Sequence, residues 1–125
     1  MQLGDVYFWQ TGKAQGHVLR NKFHIYLCPS DWREENTFVF ISKADYGGDF
    51  KITKLDCPFL DLDVSYISCS SLVFYSDEEL ASFPKKPVGR LSSDQLKKLY
   101  NALLASDTME GWQISRACNA LKAVL

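Results

Sequence analysis

Two spacings of apolar residues divide this chain. Up to about residue 75 the apolar positions fall in short runs or alternate, and beyond residue 91 they recur at three- and four-residue steps. Asp5-Val6-Tyr7-Phe8-Trp9 is β-branched and aromatic, lies between Gly4 and Thr11-Gly12, and predicts a first strand. Phe23 to Cys28 alternates, with Phe23, Ile25 and Leu27 on one face and Lys22, His24 and Tyr26 on the other. "TFVFIS" (Thr37 to Ser42) and "FKITKL" (Phe50 to Leu55) predict further strands, set apart by the polar turn "DWREEN" and the Gly-Gly loop "KADYGGD". "LVFY" (Leu72 to Tyr75) is continuously apolar and predicts a short buried strand, and Asp77-Glu78-Glu79 reads as a solvated turn.

The last third reads as helix. Ser92 and Gln95 have the spacing of a capping box, in which each side chain satisfies the other's free amide. Leu96, Leu99, Tyr100, Leu103 and Leu104 then form one stripe. A second box, Asp107 with Glu110, precedes the stripe Ile114, Ala117, Cys118, Leu121 and Leu125. Arg90 is placed to brace the first helix's start. Strands first and helices last predict a mainly β fold, a small β-barrel with helices laid against it. The boundaries are a single domain over 1–125, a barrel over about 1–90, and helices over about 92–105 and 108–124.

Charge changes this picture only locally. The 125 residues carry 14 Lys+Arg against 15 Asp+Glu, so the molecule as a whole has no broad electrostatic grip on nucleic acid. The stretch "GHVLRNKFHIYLCP" nevertheless gathers His17, Arg20, Lys22 and His24 around the start of one strand. A hollow lined by these groups suits a phosphate, and a wet strand edge is the plainer reading. Four cysteines lack any C-x-x-C pair and there are two histidines, so reduced thiols are expected, with no structural metal and no cofactor. The opening lacks a basic leader, and no apolar run approaches the roughly 18 residues of a membrane span. A cytoplasmic protein with no membrane partner is expected.

Three stretches carry a resemblance. "GDVYFW" (Gly4 to Trp9), "GHVLRNKFHIYLCP" (Gly16 to Pro29) and "VGRLSSDQLKKLYNALL" (Val88 to Leu104) resemble, in order, the first strand, the second strand and the helix of the MazF/PemK toxin endoribonucleases. With "TFVFIS", the likeness covers most of residues 1–104, and the segment 107–125 looks appended. Lys22 stands where the family has an arginine, Phe23 where it has a proline, and Ser42-Lys43 where it has Thr-Ser or Thr-Thr.

The resemblance implies an SH3-like barrel that cuts single-stranded RNA without metal, by attack of the 2′-hydroxyl on the adjacent phosphate. It also implies a homodimer and a cognate antitoxin segment as partner. On this reading Lys22 stabilises charge at the phosphate, Ser42 donates to a non-bridging oxygen and His24 exchanges a proton, the plainer reading of His24 being a bond to a backbone carbonyl. Lys13, His17 and Arg20 hold neighbouring phosphates, exposure in the loop being the plainer reading of His17. Trp9, Trp32 and Tyr46 are available to stack bases, with core or surface roles the plainer reading, above all for Trp9. The alternative is a non-catalytic SH3-like module that binds a protein or nucleic-acid partner, the lysine at position 22 recording lost chemistry.

Overall fold

The computed structural model describes residues 1–14, 16–30, 35–45 and 47–125. Among them, seven strands build one antiparallel sheet: β1 (Asp5–Thr11), β2 (Arg20–Cys28), β3 (Asn36–Ser42), β4 (Phe50–Thr53), β5 (Val64–Ile67), β6 (Val73–Tyr75) and β7 (Gly89–Arg90). The helices are α1 (Asp77–Leu80), α2 (Ser93–Leu104) and α3 (Gly111–Lys122). The strand order is β4-β5-β3-β2-β1-β7, with β6 pairing β3 off this path. The sheet curls into a half-barrel whose end strands, β4 and β7, do not pair with each other.

Strands β5 and β6 share one edge of β3. Ile67 and Tyr66 pair with Ile41 and Ser42, and then Val73 to Tyr75 pair with Phe38 to Asn36. After a last bond from the Ser68 amide to the Phe40 carbonyl, the chain leaves β3 over residues 69–72. This interruption builds the wall of the cleft described below.

Both faces of the central strands are covered, so β3 is buried at every position. One face carries Val6, Ile25, Leu27, Val39, Ile41 and Ile67, packed against Leu96, Leu99 and Leu103 of α2 and Ala117, Cys118 and Leu121 of α3. The other carries Tyr7, Trp9, Tyr26, Phe38 and Phe40, closed by Tyr75, Leu80 and Phe83. Alternation in β2 assigned these faces correctly. It could not tell that the Lys22–His24–Tyr26 face has a core of its own.

The first predicted capping box forms: Ser92 Oγ accepts from the Gln95 amide and Gln95 Oε1 accepts from the Ser92 amide. The second does not. Glu110 is itself the N-cap of α3, with no side-chain capping bond. The turn is held by Ser106, whose Oγ accepts from the amides of Thr108 and Met109 while the Met109 side chain is buried in the core. Helix α3 is fastened to the sheet by Arg116, whose Nε donates to Thr37 Oγ1 and whose Nη2 donates to the carbonyls of Pro29 and Glu35.

Three elements depart from expectation. The run Asp77-Glu78-Glu79 is the first turn of α1, with its own capping box between Ser76 and Glu79. The segment before "LVFY" holds the extra strand β5, and β6 starts at Val73 because the Leu72 amide donates instead to Gln113 Oε1 of α3. Arg90 lies in β7, where it donates to Gln2 Oε1 and pairs with Asp5, and does not brace α2. Trp32, Tyr46 and most of the "DWREEN" turn lie outside the described residues. No helix of the described residues is long and apolar enough to cross a membrane.

Candidate functional site

The paired ends of β2 and β3 bring Lys22 and Ser42 together. His24 pairs with Phe40 across the two strands, and Lys22 and Ser42, each two residues further along its strand, lie on the same face. Lys22 Nζ donates to Ser42 Oγ at 3.0 Å and sits 5.5 Å from the centre of the Phe40 ring. Lys22 is half-buried, and its pKa lies below the ordinary lysine value. Burial is the main cause, and the positive charges of Arg20 and then Lys43 add to it.

This pair opens into a cleft of about 940 Å³, also lined by Lys13, Arg20, Phe40, Ser68, Ser70 and Glu79. Its wall is the interrupted segment between β5 and β6. There Cys69 turns into the core while Ser68 and Ser70 face the cleft, their hydroxyls 3.2 Å apart. Lys13 Nζ makes a 3.2 Å ion pair with Glu79 Oε2 and lies 4.8 Å from the centre of the Tyr75 ring. The cleft reaches from Ser42 and Phe40 of β3 to Glu35, just ahead of that strand, roughly 23 Å at about 3.3 Å per residue.

Four expected site residues, Lys13, Arg20, Lys22 and Ser42, therefore line one hollow. The histidines do not join them. His17 lies exposed in the loop between β1 and β2, with a left-handed backbone (φ 55°), and does not line the cleft. His24 shares Lys22's face but is fully buried beneath the cleft. Its Nδ1 donates to the Lys22 carbonyl at 2.9 Å, and its Nε2 lies 3.0 Å from the Tyr75 hydroxyl. A carbonyl can only accept, so the proton is on Nδ1 and Nε2 accepts from Tyr75. The Tyr75 oxygen also meets Thr11 Oγ1 at 2.5 Å, and that oxygen accepts from the Lys13 amide.

The result is a chain of hydrogen bonds from the Lys13 backbone to the Lys22 backbone, with His24 in its middle. Burial lowers the His24 pKa to about 3, the carbonyl bond opposing this and the nearby Lys22 charge adding to it. Neutral at ordinary pH and bonded at both nitrogens, His24 positions the Lys22 backbone and has no open path to a substrate. Trp9 is likewise core, stacked on Phe83 at 4.6 Å between ring centres. It offers no surface for a base.

The serine wall and Glu79 were not anticipated. Their sequence signal is the spacing in "SYISCSS", where serines flank one core cysteine, and the Ser76/Glu79 box. Among the described residues, no group of three or more His, Cys, Asp or Glu side chains is placed to hold a metal, and all four cysteines are free. The hollow's donors are amines, a guanidinium and hydroxyls, a set that suits an oxyanion. No protein-family model matches the chain, and no curated protein matches it either.

Proposed function

We propose that this cleft binds single-stranded RNA and that the chain is a metal-independent endoribonuclease of the MazF/PemK kind. The observation that carries the reading is the 3.0 Å Lys22–Ser42 contact inside a hollow that also presents Arg20 and Lys13. Serine holds the amine in place, and the lowered Lys22 pKa increases the neutral fraction able to take a proton. That amine takes the 2′-hydroxyl proton as O2′ bonds to phosphorus. It returns the proton to the 5′-oxygen as the P–O5′ bond breaks, leaving a 2′,3′-cyclic phosphate. Arg20 carries the charge that builds on the non-bridging oxygens.

The long hollow also suits an extended acidic antitoxin segment that excludes RNA. Pairing of two copies, an SH3-like barrel and a cytoplasmic setting belong to the same proposal. One observation favours the runner-up, a binding module without catalysis: His24 is withdrawn from the cleft.

The test is cleavage of labelled single-stranded RNA in the presence of a chelator, by wild type and Lys22→Ala. The reading expects cyclic-phosphate ends from the wild type and at least a roughly tenfold loss in the variant. RNA that binds but stays intact supports the module. Cutting equal in both proteins removes Lys22 from the chemistry.

A further inference from the structure

A second hollow, of about 590 Å³, lies on the opposite face of the same strand ends. The half-barrel interior is filled by core side chains up to one cross-strand row, Phe8–Phe23–Ile41–Ile67. The next row on that face is polar, with Asn21, Lys43 and Ser65, so the barrel mouth stays open above an aromatic floor. Phe8 and Phe23 make that floor, their ring centres 4.6 Å apart, and Phe8 keeps 39% of its surface exposed. Asp61, from the loop between β4 and β5, stands at the rim. Neither Asp61 nor Asn21 makes a side-chain bond to another described residue.

Arg20, Lys22 and Ser42 line both hollows. A strand of RNA whose phosphate rests on them has a neighbouring base within reach of the mouth. We propose that the barrel mouth is a nucleobase pocket selective for guanine, resting on the reading that a phosphate is held at Lys22.

The selectivity follows from donor counting. A carboxylate only accepts, and it is best matched by two adjacent N–H donors. Guanine presents that pair on its Watson–Crick edge, N1–H beside the 2-amino group. Adenine and cytosine put a lone pair next to their amino group, and uracil flanks its single N–H with two carbonyls. Each of those sets an acceptor against Asp61. The apolar floor supplies stacking to any base, and the carboxylate does the choosing. The volume lies within the roughly 300–1,000 Å³ typical of ligand clefts.

The experiment uses nucleosides, which carry no phosphate, and follows the ring resonances of Phe8 and Phe23 by NMR. Guanosine is expected to shift them and to bind roughly tenfold or more tightly than inosine, adenosine or uridine. Asp61→Asn and Asp61→Ala, both at an exposed position, abolish that preference. Equal shifts from all four nucleosides, none from guanosine, or a preference indifferent to Asp61 overturns the proposal. A parallel titration with short RNA separates the two claims. If guanosine is silent while Lys22→Ala still weakens RNA binding, the guanine pocket falls and the phosphate cleft stands. If guanosine binds selectively and Lys22→Ala leaves RNA binding unchanged, the phosphate cleft falls and a nucleoside pocket remains. Silence in both removes both.

Discussion

Replacing His24 with glutamine tests whether a buried neutral imidazole lies beneath the cleft. In the folded protein burial holds the His24 pKa at about 3, against an ordinary value of 6.5. The unfolded chain therefore takes up a proton near pH 6.5 that the folded chain refuses until about pH 3. The stabilisation is fully present above pH 6.5 and is lost progressively as the pH falls through that window. At about 1.36 kcal/mol per pKa unit, the pH 5 limit of the assay leaves about 1.5 units, or about 2 kcal/mol of lost stability relative to pH 8.

His24→Gln costs about 1–3 kcal/mol at pH 8, because either the Tyr75 hydroxyl or the Lys22 carbonyl loses its partner. It should also remove the acid-dependent part, so that urea-unfolding stability between pH 8 and pH 5 changes by about 2 kcal/mol less than in wild type. Working at pH 5 and above keeps Glu79, whose pKa is lowered, from adding a loss of the same sign. A second reading needs no variant: the His24 ring-proton shifts stay flat from pH 8 to pH 5. Equal pH slopes in the two proteins, or a titration midpoint near 6.5, refutes the buried-relay description.

Ser42→Ala removes the acceptor that orients Lys22 Nζ, and should lower RNA cleavage while leaving the fold intact, checked by rate and by circular dichroism. Gly89→Ala places a Cβ against the Phe59 ring, too close for van der Waals contact. Overpacking of this sort costs about 1–3 kcal/mol, read as a lower melting temperature, and Phe59→Ala in the same chain should relieve part of it. Glu79→Gln releases Lys13 from its ion pair. The pair is partly exposed and contributes little to stability, so the expected change is tighter RNA binding with a small fall in melting temperature.

Local signals served well where one residue type permits one arrangement. Ser92 with Gln95 marked the start of α2 because both reciprocal bonds form within four residues. Period two in β2 put Lys22 and His24 on one face because strand geometry leaves no other choice. What covers that face was not legible. It is closed by α1 and Phe83, some fifty residues further on, and alternation reports the direction of a side chain and not its burial. The same limit hid the cleft wall. β5 and β6 act as one strand interrupted along β3, and the serines between them look like ordinary loop residues until the ladder is seen to break. Asp107 and Glu110 failed as a box because the buried Met109 sets the turn through Ser106.

The proposed activity requires that Lys22, beside Arg20 and Lys13 in this cleft, grip a phosphodiester. The most direct measurement is the salt dependence of single-stranded RNA binding by wild type and Lys22→Ala, with chelator present. Each phosphate neutralised on a single strand contributes about 0.7 to the slope of log K against log salt. A variant that binds more weakly, with a slope shallower by about that amount, is the predicted result. Identical affinity and slope in the two proteins would contradict it.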